Sequence, residues 1–365
     1  MDAETIAVYE AEGAGYAERR GVQFPERIEA FAAAVAPGGL RLDLGCGPGH
    51  HLPLLGRPAV ALDAAAAMVA ASARANPDVA AVRGDLARLP FGSLTLDGVW
   101  ASKAHQHLPA AELPMALAEV HRVLRTGGRF ELTVFAGEGE LRTTEGDGDD
   151  LPGRRFTWWD PDRLAAVVDA AALAVERLDV VALPGGTHPQ IHVTATADRR
   201  LPDHVGPGMR LLCCGLNPSL HAADAGVGYV SPSNRFWPAV VRAGLAEPAD
   251  DRDPRALLLR HRIGMTDLVK RATPRADELR RDEYRAGVER LRALCAWLRP
   301  AALAVVGLAG WRAAVDRRAT VGWQPEPLGP TPVYVLPSTS GLNARVTLDD
   351  LAGHLAAAAQ GPPGA

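Results

Sequence analysis

Two short stretches of this 365-residue chain combine residue types that can do chemistry. The first is Gly215-Leu216-Asn217-Pro218-Ser219, which follows the apolar run Leu211-Leu212-Cys213-Cys214. Such a run predicts a buried strand. Asn217-Pro218 stops it, because proline lacks an N–H and restricts the residue before it. An uncharged carboxamide is therefore held at the carboxyl end of a strand, where open α/β sheets form ligand sites. A carboxamide is not a strong base, but it can orient a water molecule or hold a polar base edge. The second stretch is Asp43-Leu44-Gly45-Cys46-Gly47-Pro48-Gly49, a strand running into a glycine-rich turn. Its glycines let the backbone approach a ligand closely. The turn is of the nucleotide-binding kind, but G-C-G-P-G is not the G-x-G-x-x-G fingerprint of nicotinamide enzymes.

The elements that must position these residues follow from periodicity and punctuation. Ile28, Phe31, Ala32 and Val35 form an i, i+3, i+4, i+7 stripe and predict a helix over 23–36. A strand at 60–63 ends in Asp63, about 20 positions after the loop and suited to ribose hydroxyls. Further elements are a helix at 64–75, a strand at 82–86 carrying Asp85 and Leu86, and a strand at 96–102. A helix at 112–124, a strand at 129–134, a helix at 162–175 and strands near 177–182 and 190–196 complete this half. His105 and His107 follow the 96–102 strand and suit a general base and a substrate contact; capping a helix start and facing solvent is the other reading. Trp158-Trp159 line a substrate pocket or pack a helix start. The charged, Gly- and Pro-rich segment 197–209 marks a boundary between residues 1–198 and 199–365. Beyond it come a strand at 210–216, a long loop at 218–233 and a helix from 234 to 243. A short helix at 255–260, an amphipathic helix at 278–298 and strands within 301–308 and 332–337 follow. This alternation predicts α/β architecture with a parallel, three-layer sheet.

Length allows two domains of ordinary size, and 47% hydrophobic with 22% charged residues is the composition of a soluble globular protein. The charged amino terminus has no signal core and no apolar run approaches a membrane span, so a cytoplasmic location is expected. Cys46, Cys213, Cys214 and Cys295 form no C-x-x-C pair and read as reduced core residues, with an iron–sulfur or zinc site as the remote alternative. The formal charge of −4 hides an asymmetry: residues 201–365 hold 20 Lys+Arg against 16 Asp+Glu, and residues 1–200 hold 19 against 27. A mildly basic second half suits nucleic-acid binding without establishing it.

The blocks GLNPS at 215–219, NRFWP at 234–238 and LPSTSGLNAR at 336–345, with Gly264-Met265-Thr266-Asp267-Leu268-Val269 between them, resemble the mismatch-specific uracil/thymine-DNA glycosylases over residues 200–360. The resemblance implies a three-layer α/β/α domain that flips a base out of duplex DNA. Asn217 would position the water that attacks C1′ of the sugar. Less charge then stabilises the sugar cation than with a carboxylate, so the expected enzyme is slow, with no cofactor, no metal, no Schiff-base lysine and no strand cleavage. Leu216, Ser219 and Tyr229 would contact the base. Tyr229 stands where the family more often has Phe and stacks on the extruded base, and Ser219 replaces a commoner Gly. Arg235 would pair with phosphate or with Asp267. Residues 337–345 would form the intercalation loop: Ser338, Thr339, Ser340, Gly341, Asn343 and Arg345 on DNA, with Leu342 as the wedge.

The Asp43–Gly49 turn resembles motif I of the class I S-adenosylmethionine-dependent methyltransferases, and the resemblance extends over residues 10–198. It implies a Rossmann-like sheet with helices on both faces. Asp43, Gly45, Cys46, Gly47, Asp63, Asp85 and Leu86 would hold S-adenosyl-L-methionine, with Asp85 on the adenine amino group. His105 and His107 are the candidates beside the methyl acceptor. Ala101-Ser102-Lys103-Ala104 lacks the motif of amino-methylating DNA enzymes, and Cys46, the only cysteine of this half, lies in the cofactor loop, so neither that chemistry nor carbon-5 methylation of pyrimidines is supported. The acceptor is left open. The combined expectation is a bifunctional protein: a methyltransferase joined to a glycosylase that removes uracil, thymine or alkylated cytosine opposite guanine in base excision repair. The rivals are a methyltransferase with a non-cleaving DNA- or base-binding module, and a glycosylase with a cofactor-binding regulator.

Overall fold

A computed structural model describes residues 2–182 and 188–363. The chain divides into two compact units, Met1–Asp198 and Arg199–Ala365. Both are α/β. In the first, α1 (Ala3–Arg19) and α2 (Pro25–Ala34) precede β1 (Arg41–Leu44), α3 (Leu52–Leu55), β2 (Ala59–Asp63), α4 (Ala66–Ala75) and β3 (Ala80–Arg83). Then come β4 (Leu96–Ser102), α5 (Leu113–Val123), β5 (Leu124–Phe135), the hairpin β6 (Glu140–Arg142) and β7 (Arg155–Thr157), α6 (Pro161–Ala170), β8 (Leu173–Val181) and β9 (Gln190–Ala197). The seven-stranded sheet has the order β3-β2-β1-β4-β5-β9-β8. β1 to β5 run parallel, and β9 is antiparallel to both β5 and β8. Every residue of β1 is buried, as a parallel strand covered on both faces requires.

Periodicity missed α1, whose sequence AETIAVYEAEGAGYAER has no apolar stripe. Tertiary partners hold it instead. Asp2 caps it by accepting from the Thr5 N–H at 2.9 Å. Glu10 accepts from the Ala66 and Ala67 N–H groups, each at 2.8 Å, and so places an anion at the amino terminus of α4. The β6–β7 hairpin is a second element that the sequence reading left out.

The second unit contains β10 (Leu211–Gly215), α7 (Leu220–Ala225), α8 (Phe236–Arg242), α9 (Pro254–His261), β11 (Ile263–Asp267), α10 (Arg281–Leu298), β12 (Leu303–Val306), α11 (Leu308–Ala314), β13 (Gly322–Trp323), β14 (Val333–Leu336) and α12 (Leu348–Gln360). Its sheet has the order β11-β10-β12-β14-β13, parallel except for β13. Phe236 and Trp237 lie in the core with Leu211, Ile263, Leu336 and Leu351. The expected loop at 218–233 contains α7, whose start Ser219 caps by accepting from the Ala222 N–H at 3.1 Å. All four cysteines of the chain are buried and free.

A buried ionic cluster ties α10 to β11 and to the segment before β10. Asp203 accepts from Lys270 Nζ at 2.7 Å and from the Thr266 hydroxyl at 2.6 Å, and its other oxygen pairs with Arg290 at 2.7 Å. Removing one partner of a buried pair leaves an uncompensated charge. Asp203→Ala should therefore destabilise the second unit by about 3–5 kcal/mol, read from the shift of its urea unfolding midpoint.

Candidate functional site

In the first unit, the carboxyl ends of the central strands open onto a cavity of about 1020 Å³. The turn after β1 forms one wall. Gly45, Gly47 and Gly49 have φ of 72°, 51° and 81°, a left-handed backbone that favours glycine. A Cβ at Gly45 would lie 2.3 Å from Ala104 Cβ, whereas one at Gly47 would meet only Tyr16, at 3.8 Å. The turn is thus closed behind and open in front. Asp63, at the end of β2, accepts from the Gly47 N–H at 2.9 Å and the Ala65 N–H at 3.0 Å, and burial raises its pKa.

The far wall carries a polar relay. His107 Nδ1 donates to the Arg155 carbonyl at 2.7 Å, so Nε2 is left to accept from the Tyr9 hydroxyl at 3.0 Å. The Tyr9 oxygen accepts in turn from Arg154 at 3.0 Å, and Arg154 is paired with Asp149. Burial lowers the His107 pKa to about 4, so the ring is neutral at physiological pH.

In the second unit, β10 and β11 end side by side, with Gly215 opposite Asp267. The Asn217 amide nitrogen donates to Thr273 Oγ1 at 2.8 Å and to the Arg271 and Pro218 carbonyls at 3.1 Å. Its donor end is therefore pinned, and its carbonyl oxygen makes no hydrogen bond among the described residues. Tyr229, with φ of 58°, stacks on Phe236 at 4.1 Å, and its buried hydroxyl has no partner. A Cβ at Gly215 would meet an Asp267 oxygen at 2.3 Å and the Tyr229 hydroxyl at 2.9 Å, so both groups converge over the bare backbone of Gly215. The Asp267 carboxylate also has no hydrogen bond among the described residues. Burial raises its pKa to about 6, opposed by Lys270.

Residues 42–132 match the family model of the methyltransferase domain. Residues 202–355 match the model of the uracil DNA glycosylase superfamily. The protein is a methyltransferase domain followed by a uracil DNA glycosylase superfamily domain. Among solved structures, the Haloferax volcanii complex of the Trm112 methyltransferase activator with its methyltransferase partner matches at 22% identity and a TM-score of 0.42, over 53% of this chain and 96% of that one. Burkholderia thailandensis 1,6-didemethyltoxoflavin-N1-methyltransferase, solved with 1,6-didemethyltoxoflavin and S-adenosylhomocysteine, matches at 19% and 0.43, over 53% and 85%. A Methanosarcina mazei SAM-dependent methyltransferase matches at 14% and 0.41, over 49% and 99%.

Within the methyltransferase domain, Gly45, Cys46, Gly47, Asp63 and Leu86 line the cavity, as does His107. Asp43, Asp85 and His105 do not. Asp43 lies under the turn, 1% exposed, with neither carboxylate oxygen bonded, and burial raises its pKa to about 8. Asp85 accepts from the Ala87 N–H at 2.8 Å. His105 is fully buried, its ring against Phe130, and burial lowers its pKa to about 4. The expectation that both histidines cap a helix start and face solvent is overturned, because the unit packs over them. Trp158 reaches the cavity and Trp159, at 2% exposure, does not.

Within the glycosylase-superfamily domain, the loop after β14 presents Leu342 at 96% exposure, with Ser338, Gly341 and Arg345 exposed beside it. Ser340 and Asn343 are half-buried, and Thr339 is buried at 2%. Arg235 does not pair with Asp267: its guanidinium donates to the Ser340, Asn343 and Val346 carbonyls, and so carries the loop. Leu216 packs near Gly310, where a Cβ would come within 2.9 Å of it. Sequence reasoning did not assign Asp267 or Thr273 to the site. The signals were the 264–269 block, which contains Asp267, and the place of both residues at and after a strand end that pairs with β10. No helix among the described residues is long and apolar enough to cross a membrane, and no group of three or more His, Cys, Asp or Glu among them is arranged to hold a metal.

The folded pKa of Asp267 lies above its unfolded value of roughly 4, so the native domain keeps a proton that the unfolded chain releases. That contribution to stability is complete below about pH 4 and is lost as pH rises through about 6. A carboxyl-carbon NMR titration should place the Asp267 midpoint near 6, and Lys270→Met should move it higher.

Proposed function

We propose that the protein is bifunctional: its second domain hydrolyses the N-glycosidic bond of uracil mispaired with guanine in DNA, and its first transfers methyl groups from S-adenosyl-L-methionine. The observation that carries the glycosylase reading is the set of three polar groups without hydrogen-bond partners at the ends of β10 and β11: the Asn217 carbonyl oxygen, the Tyr229 hydroxyl and the Asp267 carboxyl. Buried polar groups are nearly always bonded, so the buried, unbonded Tyr229 hydroxyl beside the half-buried Asn217 and Asp267 supports a site built for a polar ligand. A flipped base supplies the complementary edge. Asn217 accepts from a water molecule and aims its lone pair at C1′, while Thr273 keeps the amide from rotating. Tyr229 contributes an aromatic face, and the exposed Leu342 is the wedge that fills the gap in the stack. Arg345 and Ser338 meet phosphates.

In the methyltransferase domain, the open face of Gly47 and the Asp63 carboxylate suit the ribose and amino-acid parts of S-adenosyl-L-methionine. Bound there, that molecule supplies an electrophilic methyl group, which passes to an acceptor nucleophile as the carbon–sulfur bond breaks and its electron pair stays on sulfur.

On a G·U duplex, Asn217→Ala should lower the single-turnover excision rate at least 100-fold while retaining duplex binding. Thr273→Val, which removes the acceptor that pins the amide, should lower it about 10-fold. Duplex binding by the intact chain without any abasic product would show a non-cleaving module instead. In calorimetry, S-adenosyl-L-methionine should bind the intact chain, and Asp63→Ala should weaken it by 10-fold or more; absence of heat with the intact chain would remove the cofactor from the reading.

A further inference from the structure

The methyltransferase cavity has a second half that the Gly45–Gly47 turn and Asp63 leave unused. Lys103, directly after β4, marks its start. Its neighbour Ala104 lies against Gly45, and its own backbone is left-handed at φ 60°. A non-glycine residue in that region is strained, and such residues gather at functional sites. Lys103 Nζ donates to Gln23 Oε1 at 2.9 Å, an oxygen that Gln190 also approaches at 3.5 Å. Four cationic side chains line the cavity. Arg154 is paired with Asp149, Arg20 with Asp150, and Arg19 with Glu12 and Asp150. Lys103 alone of the four has no carboxylate partner among the described residues. Burial and the charges of Arg20 and Arg154 lower its pKa to about 8.

Beside this ammonium group stands an aromatic wall. Phe135, at the end of β5, pairs with Gln190 across the sheet. The ring centroids of Phe135 and Phe156 are 5.9 Å apart, those of Phe156 and Trp158 5.9 Å, those of Trp158 and His188 5.2 Å, and those of His188 and Phe135 6.0 Å. All four line the cavity. The Trp158 indole N–H is buried and has no partner among the described residues. A flat ring gains most from such a wall, and an anion gains most from an ammonium group that lacks one. Of the carboxylates that line the cavity besides Asp63, Glu138 and Asp147 are exposed, Asp149 is taken by Arg154 and Asp150 by Arg20.

We infer that this half of the cavity binds the methyl acceptor as a flat aromatic or heteroaromatic anion, its ring on the Phe156–Trp158 wall and its ionised oxygen or nitrogen on Lys103. The inference rests on the S-adenosyl-L-methionine reading of the same cavity. It fits the state of His107: an acceptor that arrives ionised needs no general base, and this imidazole, one of four that line the cavity, already has both nitrogens engaged.

The test uses the full chain saturated with S-adenosylhomocysteine, with binding read by quenching of tryptophan fluorescence and by calorimetry. The probes are salicylate, kynurenate, xanthine and p-nitrophenol at a pH that ionises each, against choline and trimethylamine. At least one flat anion should bind saturably and at least 10-fold more tightly than either cation. Lys103→Met should weaken that anion by at least 10-fold and leave S-adenosylhomocysteine binding unchanged. Lys103→Gly, which relieves the left-handed backbone while removing the charge, should behave like Lys103→Met, and Lys103→Arg should recover most of the affinity. Cation preference, no binding of any flat anion to the S-adenosylhomocysteine complex, or anion binding indifferent to Lys103 would each overturn the inference alone. Failure of S-adenosylhomocysteine to bind would overturn the cofactor reading and the inference with it.

Discussion

A parallel strand covered on both faces has no room for a hydrated polar group until it ends, and the chemistry of both domains is placed by that constraint. β10 is buried along its whole length, as are β12 and β14. Asp43 shows the cost of departing from it: inside β1 its carboxyl is unbonded, and burial drives it toward the protonated form. Elsewhere the groups proposed to act wait for the strand end. Asp63 closes β2, Lys103 follows β4, Asn217 follows β10 and Asp267 closes β11.

What the strand ends present is then aimed by residues distant in sequence. Thr273 fixes the amide of Asn217 from 56 positions away, and Arg235 holds the carbonyls of the Leu342 loop from 105 to 111 positions away. An arginine fork has enough donors to serve several carbonyls at once. This makes Arg235 the support of the loop and leaves Arg345 on its exposed side. In the methyltransferase domain, Arg154 plays a related part, fixing Tyr9 and through it His107.

Much of the sheet framework was legible from residue patterns. The 96–102 strand and the strands bearing Asp63 and Asn217 were read nearly to the residue, because parallel strands are short apolar runs bounded by Gly, Pro or Asp. Among the elements missed, α1 and α7 lack a strong pattern of their own, whereas α12 was passed over although Leu351, Leu355 and its Thr347–Asp350 capping box mark it. α1 has no stripe of its own and is held by Glu10 on α4 and by Tyr9 in the relay. α7 is six residues long and hides in a segment rich in small residues. Asp267 sat in a recognised block, yet its role depends on its register opposite Gly215, which no local pattern encodes.

The sequence by itself determined that there are two α/β domains and where the glycine-rich turn after β1 and the polar stop after β10 lie. These follow from local rules: strand periods, glycine in left-handed turns and proline as a stop. Only the tertiary structure decided which polar groups are left unbonded: that His105 is sealed in the core, that Arg235 is occupied by the carbonyls of the Leu342 loop, and that Lys103 lacks a carboxylate partner among the described residues. Burial and pairing are sums over neighbours brought together from across the chain, and the free energy of a polar group is set by that sum rather than by its own identity.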